Sequence, residues 1–177
     1  MSKPTLATVW LDGCSGCHMS FLDIDERLLE LAQKADLLYS PLVDRKDFPD
    51  HVDITLVEGA VSSTDDLAKI RKVRAHTKIL VSLGDCAVTS NVPSMRNPFG
   101  VDAVMRRGYV ENVTEARPIP CSVIPTLLDR ARPVHELVSV DVFVPGCPPS
   151  ADLIYEVLGD LIAGKPVVSG SRGRFGG

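Results

Sequence analysis

Four of the five cysteines stand in short segments that contain glycine or proline and follow apolar runs. Cys14 and Cys17 are three positions apart, Cys86 lies in a Gly-Asp-Cys-Ala segment, and Cys147 lies in a Pro-Gly-Cys-Pro-Pro segment. Thiolates bind zinc and iron-sulfur clusters. The CxxC pair alone is a weak signal, because a thioredoxin-like dithiol has the same spacing. All four cysteines together predict one metal site.

The surroundings of these cysteines favour a 4Fe-4S cluster over zinc. Glycines or prolines flank the ligands, as expected if backbone amides approach the cluster sulfurs closely. Predicted helices begin shortly after Cys17 and Cys147, and the positive end of a helix dipole stabilises anionic sulfur. Structural zinc sites more often use two close cysteine pairs, which this sequence lacks. A non-redox zinc scaffold stays open as an alternative.

The elements that must bring these cysteines together alternate between strands and helices. The predicted strands cover 7–12, 36–40, 53–59, 78–83 and 138–144. Their order predicts an α/β fold, a doubly wound parallel sheet of flavodoxin-like type. Ligands of such sheets lie beyond the carboxyl ends of the strands, where all the cysteine loops fall. We therefore expect one iron-sulfur domain over 1–168.

Three helices are predicted to begin at serines that can cap them. The first begins near Ser20, the second at Ser63 and the last at Ser150. An acidic residue three positions after Ser20 and after Ser63 resembles a capping box. The last helix has a clear apolar stripe and ends near Gly164.

Residues 88–138 interrupt this pattern with six prolines. A structureless loop of this length is unusual inside a compact domain. We interpret it as a long irregular insertion that builds a contact surface, with a short helix near 101–107; a surface loop without a partner is the alternative. Residues 169–177 have the composition of a flexible tail.

Composition narrows the function classes for this chain of 177 residues. A net charge of −4 and 5% aromatic residues argue against nucleic-acid binding. An apolar content of 45% leads us to expect a surface covered by a partner. No apolar stretch reaches the roughly 18 residues of a membrane span, and no signal peptide is recognisable, so a cytoplasmic location is expected. There, five cysteines indicate metal binding or redox chemistry, not disulfides.

Taken together, the cysteine motifs resemble those of a known family. Segments 14–17, 84–87 and 145–149 are similar to the three cluster motifs of the small subunit of nickel-iron hydrogenases. The wider segments 16–23 and 91–97 resemble the cytoplasmic, NAD-reducing branch. The resemblance covers most of the chain.

This resemblance implies one proximal 4Fe-4S cluster on Cys14, Cys17, Cys86 and Cys147. It also implies a tight complex with a hydrogenase large subunit that holds the nickel-iron centre and splits hydrogen. In the NAD-reducing branch, diaphorase subunits with FMN and further iron-sulfur clusters pass the electrons to NAD. The chain would thus be an electron-transfer subunit of an oxidoreductase, without catalytic residues of its own.

Two other functions are weighed against this one. A related subunit of respiratory complex I, a quinone oxidoreductase, typically has two adjacent cysteines where this chain has Cys14 and Cys17 separated by two residues. An FMN-binding flavodoxin-like module would need a hydroxyl-rich phosphate loop at 12–20, where two cysteines stand instead.

Glu58 and His18 fall at the predicted carboxyl edge of the sheet, whereas the fifth cysteine, Cys121, does not. Glu58 ends the third strand, where it could transfer protons or bind a partner; a solvated carboxylate in a turn explains it equally well. His18 could donate a hydrogen bond to a cluster sulfur, or be a solvated or interface histidine. Cys121 does not follow a predicted strand, so we expect a buried structural thiol there.

Overall fold

The computed structural model describes residues 3–115 and 118–166 and contains seven strands and six α-helices within them. The strands are β1 (Thr5–Trp10), β2 (Asp36–Tyr39), β3 (Val52–Glu58), β4 (Val61–Ser63), β5 (Thr77–Leu83), β6 (Leu127–Arg132) and β7 (Val142–Val144). The helices are α1 (Gly16–Leu22), α2 (Arg27–Lys34), α3 (Thr64–Ala75), α4 (Asp85–Thr89), α5 (Val101–Arg106) and α6 (Ala151–Ile162). The predicted tail at 169–177 lies outside the described residues.

Five of the strands form one parallel sheet in the order β2-β1-β3-β5-β7. β2 lies on one side of β1, and β3, β5 and β7 follow on the other side. This reversal in the order of strand addition places helices on both faces of the sheet, which confirms the predicted doubly wound, flavodoxin-like fold. Along the central strands, alternate side chains point to opposite faces of the sheet and pack into two separate hydrophobic cores. Leu56 of β3 packs on the face covered by α1, α2 and α6, whereas Val57 packs on the face covered by α3 and α4.

Helix caps were predicted correctly at two of three positions. Ser63 forms a full capping box with Asp66, and the Ser150 hydroxyl accepts a hydrogen bond from the first turn of α6. The cap predicted at Ser20 is wrong, because α1 already begins at Gly16 within the cysteine loop. The Ser20 hydroxyl instead donates to the Pro149 carbonyl at 2.5 Å. The single helix predicted there is two helices, separated at residues 23–26.

The insertion at 88–138 is more regular than predicted. It contains α5, which confirms the short helix, and the strand β6, which pairs antiparallel with β4. Asn97 ties a 3₁₀ turn to this strand, since its amide donates to the Ala131 carbonyl and accepts from the Ala131 N–H at 2.9 and 2.8 Å. The segment after the second cysteine motif is thereby fixed against the body of the domain.

Candidate metal centre

The three cysteine segments meet at the carboxyl edge of the parallel sheet. Cys14 and Cys17 follow β1, with Cys17 in the first turn of α1; Cys86 follows β5 in α4, and Cys147 follows β7. All four line one pocket. Cys17 is 7% exposed, Cys86 is half-buried, and Cys14 and Cys147 are exposed. The other residues that line the pocket are Gly16, Glu58, Asp85, Gly146 and Pro148.

Backbone hydrogen bonds join the loops that carry the second and third cysteine motifs. The Gly84 N–H donates to the Val144 carbonyl and the Asp85 N–H donates to the Gly146 carbonyl, both at 2.8 Å. In return, the Gly146 N–H donates to the Asp85 carboxylate at 2.7 Å. Two loops that are distant in sequence are therefore held as one unit.

Glycine is required where the sulfur of Cys17 approaches the backbone. Gly84 has a φ of +81°, a positive value that residues other than glycine rarely adopt. A Cβ at this position would lie 2.2 Å from the Cys17 Sγ. A Cβ on Gly16 would lie 3.2 Å from the Cys14 Sγ. The missing side chains leave room beside the sulfurs.

The buried thiols are in an environment that opposes a free thiolate. Burial raises the pKa of Cys17 far above its ordinary value, and the charges of Glu58 and the other three cysteines raise it further. Burial also raises the pKa of Cys86, partly offset by a hydrogen bond from the Val92 N–H. A bound metal reverses this preference, because its positive charge holds a coordinating thiol deprotonated.

Within residues 3–115 and 118–166, no set of three or more histidine, cysteine, aspartate or glutamate side chains is placed to hold a single metal ion. The four cysteines nevertheless surround one pocket.

Glu58 and His18 form a buried pair beside this pocket. Glu58 is 2% exposed, and its carboxylate contacts the His18 Nδ1 and accepts from the His18 backbone N–H at 3.3 Å. The His18 Nε2 lies 3.0 Å from the Thr8 Oγ1, which donates to Ser40. The solvated alternatives for both residues are therefore wrong. The ring nitrogens of His18 face Glu58 and Thr8, so the predicted bond from His18 to a sulfur is not formed.

Two residues depart from the sequence-based expectations. Cys121 is exposed and does not line the cysteine pocket, so its predicted burial is wrong. Asn91, to which no role was assigned, places its amide nitrogen 3.6 Å from the Cys147 Sγ with donor geometry. The only sequence signal for Asn91 is its place in the 91–97 segment after Cys86.

Large apolar side chains of the insertion face solvent. Met95 and Phe99 are 68% and 72% exposed, and Val92, next to the pocket, is also exposed. None of the helices in the described part of the chain has both the length and the apolar character to cross a membrane. Exposed apolar side chains of this size are typical of a surface that a partner covers.

Sequence comparison relates most of the chain to redox proteins. The family described as NADH ubiquinone oxidoreductase, 20 Kd subunit, matches residues 14–161. The NAD-reducing hydrogenase HoxS subunit delta of Cupriavidus necator is 43% identical over 169 residues, 93% of this chain and 81% of that protein. A chain of the F420-non-reducing hydrogenase of Methanothermobacter marburgensis is 36% identical over 93% of this chain, which spans 55% of that protein.

Comparison with solved structures also finds chains of hydrogenases. An NAD+-reducing NiFe hydrogenase in the H2-reduced state contains a chain that matches with a TM-score of 0.92 and 38% identity, covering 98% of this chain and 99% of that one. A NiFeSe hydrogenase from Dm. baculatum matches with a TM-score of 0.62 and 16% identity, over 92% of this chain and 63% of that one. The second match shows the fold alone.

Proposed function

Because the chain belongs to the family of the 20 kDa subunit of NADH ubiquinone oxidoreductase and the delta subunit of NAD-reducing hydrogenase, we propose that it is the electron-transfer small subunit of a nickel-iron hydrogenase. One 4Fe-4S cluster would be held by Cys14, Cys17, Cys86 and Cys147. The observation that carries this proposal is the convergence of these four cysteines, from three loops, on one pocket. Four cysteine thiolates are the usual ligands of such a cluster.

The pocket fits a cluster better than a zinc ion. Zinc needs four ligands about 2.3 Å from a single point when they are sulfurs. A cluster is larger and needs its sulfurs spread around it, with room for close backbone approach. Gly84, where a Cβ would meet the Cys17 Sγ, provides such room. This close approach of backbone and sulfur supports a polynuclear centre.

The arrangement of the four cysteines suits electron transfer between proteins. Bound there, the cluster would supply one-electron transfer, so that the two electrons of H2 pass singly while its two protons remain with the large subunit. Cys17 lies inside the domain, whereas Cys14 and Cys147 stand at the exposed rim. A centre with an exposed rim can be approached by redox centres of neighbouring subunits.

The exposed apolar side chains of the insertion support a permanent partner. Val92, Met95 and Phe99 expose hydrophobic area that an isolated protein rarely leaves in water. Obligate interfaces are large and hydrophobic. We assign this surface to the hydrogenase large subunit with its nickel-iron centre. Diaphorase subunits with FMN and further iron-sulfur clusters would take up the electrons and deliver them with one proton to NAD.

A complex I-like subunit of a quinone oxidoreductase is the second candidate, favoured by the family match over residues 14–161. A flavin module is a weaker third candidate, because the β1–α1 loop presents Cys14 and Cys17 at the sheet edge. The partners and the flavin content of the purified complex distinguish these functions.

The experiment is anaerobic purification of the complex through a tag on this chain. We expect nickel, FMN and a hydrogenase large subunit to purify with it in constant proportion. Aspartate at both Met95 and Phe99 should release the nickel protein, because two charges would be buried in an apolar interface. Leu29→Asp is the matched control, since Leu29 is 72% exposed and lies on α2. A quinone-reducing membrane complex, or a lone air-stable chain with a full cluster, would overturn the proposal.

A further inference from the structure

The segment that follows α4 directs a side-chain N–H at one of the cysteine sulfurs. The side-chain amide of Asn91 donates to the Cys147 Sγ at 3.6 Å, within the range of hydrogen bonds to sulfur. The segment follows directly after α4, which carries Cys86, and it reaches across to the loop after β7.

The position of Asn91 is fixed by the turn that it begins. Its carbonyl accepts from the Ser94 hydroxyl at 2.8 Å, and the Ser94 N–H donates to the Ser90 carbonyl at 2.9 Å. Pro93 restricts the same turn, which runs over Val92–Arg96. The backbone of Asn91 is thus fixed by the turn, at a place from which its side-chain amide reaches the Cys147 sulfur.

The sequence suggested His18 as a hydrogen-bond donor to a cluster sulfur, and the structure shows that His18 does not take this role. Both ring nitrogens of His18 face Glu58 and Thr8. Asn91 has no titratable group of its own, so a bond from its amide persists at any pH at which the domain is folded.

We propose that Asn91 is a positioning residue for the Cys147 thiolate, and that its N–H···S bond raises the reduction potential of the centre. This inference rests on the cluster assignment above. The physical reason is that reduction adds negative charge, part of which resides on the sulfurs. A fixed N–H dipole stabilises the more negative state more strongly, so removal of the donor makes reduction harder.

The test compares Asn91→Leu and Asn91→Asp with the unmodified complex by EPR-monitored redox titration. Leucine removes the donor without adding charge, and aspartate keeps the size but replaces the donor by a negative group. We expect a lower midpoint potential in both, with the larger shift in Asn91→Asp. ENDOR spectra of the reduced centre should also lose one exchangeable-proton coupling in Asn91→Leu. Asn112→Leu, at an exposed position, is the matched control and should change neither quantity.

The outcomes separate this inference from the function on which it rests. Iron and sulfide are counted first in every variant. If the unmodified chain binds no cluster, the cluster assignment fails. If all variants are fully loaded and the potential and proton coupling of Asn91→Leu match those of the unmodified complex, the cluster assignment stands and the role of Asn91 is refuted.

Discussion

Replacement of Cys147 by alanine in the complete complex is expected to reduce hydrogen-dependent NAD reduction to background. NADH oxidation with an artificial acceptor should continue at its normal rate, because that reaction needs only the diaphorase subunits. The physical reason is that all four cysteines of the proposed cluster line the same pocket, so loss of one ligand interrupts the electron path through this chain. Both activities are measured on one preparation of defined subunit composition.

The control for this experiment is Cys121→Ala. Cys121 is exposed and lies away from the cysteine pocket, so its removal should leave both activities intact. A Cys147→Ala complex that lacks the cluster and still reduces NAD with hydrogen at a normal rate would show that the chain is a scaffold and conducts no electrons.

Replacement of Gly84 by alanine is expected to remove the cluster almost completely. The new methyl group would lie 2.2 Å from the Cys17 Sγ, a distance that no real contact tolerates. Cys17 is buried and has little space in which to retreat. The Cys17 sulfur must therefore move away from the place where it would bind the cluster. The iron content of the variant should fall to that of a variant in which one of the four cysteines is replaced.

Gly100→Ala separates this contact from backbone strain. Gly100 has a φ of +78°, nearly the same as that of Gly84, but a Cβ there would meet no atom within 4 Å. Both substitutions place an alanine at a φ and ψ that essentially only glycine adopts, at a cost of about 1–3 kcal/mol each. We expect Gly100→Ala to lower stability while it keeps its cluster. Equal iron contents in the two variants would refute the importance of the sulfur contact.

The sheet and the meeting of the cysteines could be predicted because their signals are local and topological. Apolar runs predict buried parallel strands. Once the order of elements gives a doubly wound sheet, every loop after a strand falls at one edge, so Cys14, Cys86 and Cys147 are brought together without any knowledge of side-chain contacts. The Ser63 capping box succeeded for the same reason, since its two residues are neighbours in sequence.

Other features depend on partners that are distant in sequence. Glu58 and His18 are 40 positions apart, and neither has a local pattern that indicates burial. The last strand is shorter than the predicted 138–144, because the Asp141 side chain accepts from the Leu80 N–H at 2.7 Å and ion-pairs with Arg74. The Asp141 carboxylate thus replaces a backbone carbonyl as the acceptor for the Leu80 N–H, and the strand pairing stops there.

The insertion shows the same limit. Strand β4 has only three residues, too few for a recognisable alternation, and it is stabilised by pairing with β6 from across the insertion. The prolines near Cys121 do not indicate whether its side chain is buried or exposed, so its exposure was not predicted. The Asn91 contact with Cys147 spans 56 positions and follows from the turn at Val92–Arg96, which the sequence did not predict.

The most direct test of the four-cysteine cluster is the difference in iron and acid-labile sulfide between complexes that carry Cys86→Ser and Cys121→Ser. Both substitutions replace one thiol by a hydroxyl in otherwise identical complexes. The predicted result is that Cys86→Ser lacks the four iron and four sulfide atoms of one 4Fe-4S cluster, while Cys121→Ser matches the unmodified complex. A full iron and sulfide content in Cys86→Ser, or its loss in Cys121→Ser, would contradict the assignment.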